Sequence, residues 1–268
     1  MKMKDVMNLF HISEGTIRYY EKMGVINPER NENNYRIFDF ESLVNLMICQ
    51  KYNGFGLSYK ESIHSLQDRT LTDNISILER KLEDNKKELR KLTAVNMYYQ
   101  NLCLELKKSE CESSSFVERT NSILFYEVNK GDFLNPIESF KDEKISKWVD
   151  IIDVLNFEVW CRVRENKEME WKRVLTVDTE LVKLYSDYVP ENSNCLTEKN
   201  NIASYVTVPF HGMNELSDEV SKLLEFLCAK GYSFTGFIRT KILMIACGQA
   251  YLKIMAEVQD DEKTKVAE

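Results

Sequence analysis

No apolar run in the sequence approaches 18 residues, so no segment qualifies as a membrane-spanning helix. The stretch after Met1-Lys2-Met3-Lys4-Asp5 carries helical spacing rather than an apolar signal core, which predicts a cytoplasmic protein with no membrane partner. A broad basic excess is also missing: 36 Lys and Arg stand against 43 Asp and Glu, a net charge of -7. That excludes a protein that coats nucleic acid over its whole surface, and any DNA-reading role must rest on placed residues. The seven cysteines are scattered without a disulfide framework and fit free thiols in a reducing compartment, with Cys49 and Cys228 as core residues. No phosphate loop, metal-ligand cluster or activated nucleophile occurs, so no catalytic residue, metal site or cofactor is expected. His11 and His64 stand alone among apolar neighbours, packed or solvated. What is present is a chain of 268 residues with 43% hydrophobic content, enough for about two cored domains.

The strongest periodicity lies between Thr72 and Lys108. Ile75, Leu82, Leu89, Asn96 and Cys103 recur every seven residues, interleaved with Leu78, Asn85, Leu92, Tyr99 and Leu106. This is a coiled-coil seam, and on a helix it spans about 50 Å, too long to fold away inside a small domain. It predicts a dimerisation helix over residues 71–110 that pairs two copies of the chain as a homodimer. Asp73 is the expected N-cap. Asn85 and Asn96 on the seam cost stability but fix register, as suits a specific dimer.

Ahead of it, residues 1–70 have the pattern of a reading head. Val6, Met7 and Phe10 are spaced as a helix; after a turn at His11 and Ile12, Ser13 caps a second helix from Glu14 that stops at Gly24. Two short helices and a tight turn make a helix-turn-helix, whose second helix presents its first residues to the major groove. The turn-rich Asn31-Glu32-Asn33-Asn34 followed by extended Tyr35-Arg36-Ile37-Phe38 forms a wing. Asp39 caps a third helix, and Ser58-Tyr59-Lys60-Glu61 is a capping box opening a fourth.

The order Ile-Ser-x-x-Thr-Ile-Arg-Tyr-Tyr-Glu (12–21), Gly-Val-Ile (24–26), Asn-Tyr-Arg (34–36) and Gly-Phe-Gly-Leu-Ser (54–58) resembles the MerR family of bacterial transcription regulators. The resemblance implies a winged helix-turn-helix in which Arg18, Tyr19, Tyr20, Tyr35 and Arg36 clamp backbone phosphates, Ser13 and Thr16 sit by the groove, and Lys60 adds a contact. It implies double-stranded promoter DNA as partner, RNA polymerase as an indirect one, and an antiparallel pairing of the long helices. Gly15 departs from the basic or polar residue common at that place. Metal-sensing members carry two cysteines just beyond the dimer helix, so a metal or thiol sensor using Cys103 and Cys111 is an alternative. Against it, 104–108 continues the helix and about 150 residues follow.

Beyond a short linker at Ser113-Ser114-Ser115 the pattern turns mixed. Strands are predicted at Ile123–Val128, Phe157–Arg164, Trp171–Val177, Leu181–Tyr185, Ala203–Val208, Phe234–Arg239, Lys241–Ala246 and Tyr251–Val258. Gly turns fall at 129–131 and 211–212. Helices are predicted at Glu143–Asp153, with Ile145, Trp148, Val149 and Ile152 inward, and from an Asn214 cap to Gly231. A strand, a Gly turn, a helix and a strand pair occur twice, which predicts two half-sheets side by side with both helices behind. The expected fold class is therefore multidomain α and α+β: winged helix-turn-helix, long dimerising helix, and a pseudo-repeat antiparallel sheet domain over 116–268. The run Ser204-Tyr-Val-Thr-Val-Pro-Phe-His-Gly212 ahead of a helix ending Lys230-Gly-Tyr232 resembles the GyrI-like effector-binding domain.

On Phe157–Arg162, Glu158 and Trp160 share one face by strand alternation, and a carboxylate beside an indole suits an aromatic or cationic ligand. Tyr126, Trp148, Trp171, Tyr185, Tyr188 and Tyr205 are further pocket candidates. Cation-binding members keep a buried Glu late in this domain, where 236–241 has no acid. A neutral or anionic amphipathic ligand approached by Arg162 or Arg239 is equally admissible. The function expected is a ligand-responsive regulator that binds a promoter palindrome as a dimer and distorts it. A GyrI-like hydrolase with Glu158 as base is the rival from another class.

Overall fold

The computed structural model describes residues 1–111, 115–128, 143–185, 193–210 and 212–259, and divides the chain into two compact units, Met1–Lys86 and Lys87–Glu268. In the first unit, α1 (Met3–Phe10) and α2 (Glu14–Lys22) are joined by a turn in which His11 adopts φ 51°. The Ser13 side chain accepts the Thr16 N–H at 3.1 Å, which satisfies one of the free donors at the start of α2. β1 (Glu29–Arg30) and β2 (Arg36–Ile37) form a two-stranded antiparallel wing, with Asn34 at φ 63° turning the chain between them. α3 (Phe40–Gly54) is capped by Asp39, and α4 (Tyr59–Gln67) by the reciprocal Ser58–Glu61 box. Val6, Ile17, Tyr20, Ile26, Leu46, Cys49 and Ile63 close one core between them.

α5 runs without a break from Leu71 to Cys111. Its cap is Thr70 rather than Asp73: the Asp73 N–H donates to the Thr70 hydroxyl oxygen at 3.2 Å, and the Thr70 N–H returns a bond to the Asp73 carboxylate at 3.1 Å. A threonine followed three residues later by an acid is the same reciprocal box as at Ser58, displaced by three positions from the expectation.

The second unit is built on one eight-stranded antiparallel sheet in the order β3-β8-β10-β9-β5-β6-β4-β7. Its central six strands are two triplets meeting edge to edge. β4 (Ile123–Glu127), β5 (Asn156–Val163) and β6 (Met169–Asp178) lie as 5-6-4, and β8 (Lys199–Pro209), β9 (Phe234–Ala246) and β10 (Gln249–Val258) lie as 9-10-8. This is the predicted pseudo-repeat. The join is the β5–β9 pair, in register Glu158↔Lys241 and Trp160↔Arg239. Behind the sheet, α8 (Met213–Lys230) lays Leu216, Val220, Leu223 and Leu227 against Ile202, Ile238 and Ile254. α6 (Glu143–Val149) and α7 (Thr179–Tyr185) cover the other half with Ile145, Trp148, Leu181 and Val182.

Several expectations are corrected. Leu181–Tyr185 is helix, not strand: Asp178 Oδ1 accepts the Glu180 N–H at 2.8 Å, and Leu181, Val182 and Tyr185 are buried at helical spacing. Phe234–Arg239 and Lys241–Ala246 are one strand, because β10 pairs along nearly its whole length. α8 starts after Gly212 with no side-chain cap, so Asn214 does not serve as one. α6 ends at Val149, which leaves Val149 and Ile152 exposed instead of inward. Cys228 falls off the buried stripe of α8 and is exposed. Two short strands carried no sequence signal, β3 (Phe116–Thr120) and β7 (Asn194–Leu196). The turns at 129–131 and at His211, Tyr188, and most of the 113–115 linker lie outside the described residues. Among the described residues no helix is long and apolar enough to cross a membrane.

Candidate functional site

The first unit carries its polar motif residues on short-range contacts. Ser13 and Thr16 hydroxyls are 2.9 Å apart at the start of α2, and Arg18 makes two hydrogen bonds to the Glu14 carboxylate one turn back. Tyr19 is partly exposed, and Tyr35 and Lys60 are exposed. Arg36 on the wing donates to both Glu21 carboxylate oxygens, at 3.2 and 3.0 Å, tying β2 to α2. Tyr20 is a correction: its ring is fully buried and its hydroxyl accepts a hydrogen bond from the Asn53 amide at 3.0 Å, so it packs the head rather than facing outward. Burial pushes the Tyr20 hydroxyl up to about 12, beyond reach of physiological titration.

In the second unit, strand alternation separates the sheet into a helix-covered side and an open side. Glu158 and Trp160 share the open side, as the sequence implies, but the carboxylate is spoken for. Arg239 donates from Nη2 to Oε1 at 2.8 Å and from Nε to Oε2 at 2.9 Å. The Trp160 Nε1–H donates to Oε2 at 2.7 Å and the Thr176 hydroxyl to Oε1 at 2.8 Å. Four donors fill the four lone-pair positions of a carboxylate. Burial alone would push Glu158 up; Arg239 beside it, with these hydrogen bonds, holds it below the usual carboxylate range. A saturated carboxylate has no lone pair left to take a proton from water, which removes Glu158 as a general base and as a partner for a ligand cation.

The other pocket candidates divide between the two sides. Tyr205 stays on the open side, its hydroxyl donating to Glu105 of α5 at 2.8 Å. Tyr126, Trp148 and Tyr185 instead pack in the core beneath α6 and α7, and Trp171 packs with Cys161 in the core beneath α8, because each alternates onto the covered side or stands on a covering helix. Residues missed in the sequence complete the open side. Phe125 and Phe237 flank Trp160 with ring centroids 4.6 and 5.1 Å away. A cavity of about 510 Å³ lies over these three rings and Leu196, rimmed by Arg162, Lys172 and Glu127. Phe125 and Phe237 reach Trp160 from separate strands on either side of β5, a meeting that needs the strand order, which one sequence does not supply.

The far half of α5 belongs to this unit. Ala94, Val95 and Tyr98 join the core beneath α6, the Tyr98 hydroxyl donates to the Leu155 carbonyl at 3.2 Å, and Glu105 pairs with Lys253 of β10 at 2.9 Å. The face of α5 bearing the heptad seam is a different one. Ile75, Leu78, Leu82, Leu89, Leu92 and Tyr99 are each 40% to 66% exposed, and Asn85, Asn96 and Cys103 are exposed beside them. Cys103 and Cys111 are eight residues apart on one continuous helix, about 12 Å along its axis, too far for one soft cation to bridge within a chain.

The helix pair, wing and capped third and fourth helices of the first unit define a winged helix-turn-helix DNA-binding domain. Residues 1–68 match the family described as MerR HTH family regulatory protein. The HTH-type transcriptional regulator HmrR of Rhizobium leguminosarum bv. viciae is 33% identical over 92 residues, covering 32% of this chain and 71% of that protein. The chain belongs to the MerR family of DNA-binding transcription regulators. Among solved structures, the EcmrR–DNA complex in EcmrR-RPo covers 97% of this chain and 100% of its own at 16% identity and a TM-score of 0.40. SAV2435 bound to tetraphenylphosphonium covers 55% of this chain and 94% of its own at 10% identity and a TM-score of 0.33.

Proposed function

We propose that this regulator works as a homodimer that binds a two-fold promoter site through residues 1–70, pairs through α5, and responds to a small amphipathic aromatic molecule held by residues 116–268. The observation that carries the reading is the uncovered seam. Six large apolar side chains on one face of α5 stay exposed in a single chain, although the same helix packs its other face against its own sheet. A second copy is the occupant a heptad seam with two asparagines specifies. Dimer heads then meet DNA with the symmetry of a palindrome.

The DNA-facing set is Ser13, Thr16, Arg18, Tyr19, Tyr35, Arg36 and Lys60, all reachable from solvent, with phosphate contacts positioning the head and groove contacts specifying the site. The ligand site is the aromatic cavity at Phe125, Trp160 and Phe237, whose stacked rings suit a flat apolar body and whose charged rim suits a polar group. Regulation follows by DNA distortion: a ligand that binds one conformation of the dimer better than the other shifts the population that deforms the promoter.

Replacing Leu82 and Leu89 with lysine tests the dimer directly. Sedimentation of the wild type should give a dimer and the variant a monomer, with sequence-specific promoter binding lost in the monomer. A variant that stays dimeric, or a monomer that still binds its site as tightly, would rule the seam out.

A further inference from the structure

A second cavity, of about 370 Å³, lies on the open side between the sheet and α5 and shares no lining residue with the aromatic one. Its wall carries five cations, Lys108, Arg119, Arg239, Lys241 and Lys253, and four acids, Glu105, Glu118, Glu158 and Asp178, a positive excess in a chain whose net charge is -7. Arg119 pairs outward with Glu198, and among the described residues the pairing leaves two cations over, Lys108 at the exposed rim and Lys241 within. Glu158 is saturated by Arg239, Trp160 and Thr176. Lys253 binds both Glu105 and Glu118, and Glu105 also accepts from Tyr205. Lys241 stands directly across from Glu158 on β5 and from Lys253 on β10, yet makes no hydrogen bond or ion pair among the described residues. An ammonium has three donors, and leaving all of them unmet by the protein in a partly closed cavity is costly unless something else accepts them.

We propose that the cavity beneath α5 binds the acid group of a small organic anion, with Lys241 as the cation that holds it. The site goes beyond the aromatic pocket of the proposed function and takes a different chemistry. Burial pulls the Lys241 ammonium below its ordinary range, and Glu158 and Glu105 oppose that only in part, so an anion that pairs with it supplies the charge the site lacks. The position also explains what occupancy could report. Lys253 is one strand spacing away, about 4.8 Å, and through Glu105, which Tyr205 also binds, it is one of the residues that tie α5 to the sheet. An acid group bridging Lys241 and Lys253 competes with Glu105 and loosens or re-seats the helix that carries the dimer seam.

The test is calorimetric titration of the full-length chain with benzoate, with benzamide as the neutral isostere and with inorganic phosphate, against wild type, Lys241→Met and Lys241→Arg. Benzoate or phosphate should bind the wild type, with benzamide and Lys241→Met weaker by about tenfold or more and Lys241→Arg close to wild type. Whichever anion binds identifies the acid group as carboxylate or phosphate. If Lys241→Met does not fold, reductively methylated wild type serves instead: the anion must shift the Lys241 dimethylamine resonance in an NMR titration. The proposal is overturned if neither anion binds, if Lys241→Met binds equally, or if the Lys241 resonance does not move. Operator binding measured on the same samples keeps the two readings apart, since a wild type that ignores both anions but binds its promoter loses only this site.

Discussion

Arg18 and Glu14 are 2.6 Å apart on α2 with 61% and 47% of their side chains exposed; Arg239 and Glu158 are 2.8 Å apart at the centre of the sheet with 7% and 1% exposed. The chemistry is the same and the consequences are opposite. Water screens the first pair, so Arg18 can leave Glu14 for another anion at little cost. The second pair is desolvated, and neither partner can leave without stranding a charge. Arg18 therefore stays free to change partners, whereas Glu158 and Arg239 hold β5 to β9, where the two half-sheets join.

Breaking the buried pair should have the largest effect. Arg239→Met leaves Glu158 uncompensated and should cost about 3–5 kcal/mol in denaturant unfolding of the second unit, while Glu158→Leu with Arg239→Met recovers most of that loss. A double variant as unstable as the single one would mean that the pair is not closed on itself. Breaking the exposed pair should leave thermal unfolding unchanged. Arg18→Ala should weaken promoter binding about tenfold on all sequences alike and flatten its log–log salt slope by about one, as measured by fluorescence anisotropy. Tyr20→Phe sharpens the contrast within the head: it strands the Asn53 amide and should cost about 1 kcal/mol of stability, with the salt slope of DNA binding unaltered. The smallest effect expected is at Gly15, where an added Cβ would meet Ser13 Oγ at 3.6 Å, an ordinary contact. Gly15→Ala should stabilise α2 by about 0.5–1 kcal/mol without loss of DNA affinity.

The same contrast explains what could be read from the sequence. In the head every signal is local: Ser13 caps three residues on, Asp39 caps Ser42, Ser58 answers Glu61, and Arg18 finds Glu14 within one turn. Composition and spacing are enough for such contacts; Tyr20 is the exception, because its ring is buried by side chains from several helices and its hydroxyl meets Asn53, 33 residues away. In the sheet, alternation put Glu158 and Trp160 on one face, and the repeated strand–helix pattern gave the two half-sheets. It could not say that Arg239, 81 residues on, would claim the carboxylate, nor that Phe125 and Phe237 would flank the indole. Tyr126 and Phe125 are neighbours in sequence and lie on opposite sides of the sheet, so choosing the pocket residue between them required the register. Leu181–Tyr185 failed for a related reason, since a short apolar run fits a strand or one helical turn equally well.

The most direct measurement is a footprint of the full-length chain on the promoter it controls, at moderate salt. Protection of two half-sites related by two-fold symmetry is expected between the two promoter elements, lost together when Leu82 and Leu89 are replaced by lysine. An unprotected promoter, or protection of one half-site that survives those substitutions, would contradict it.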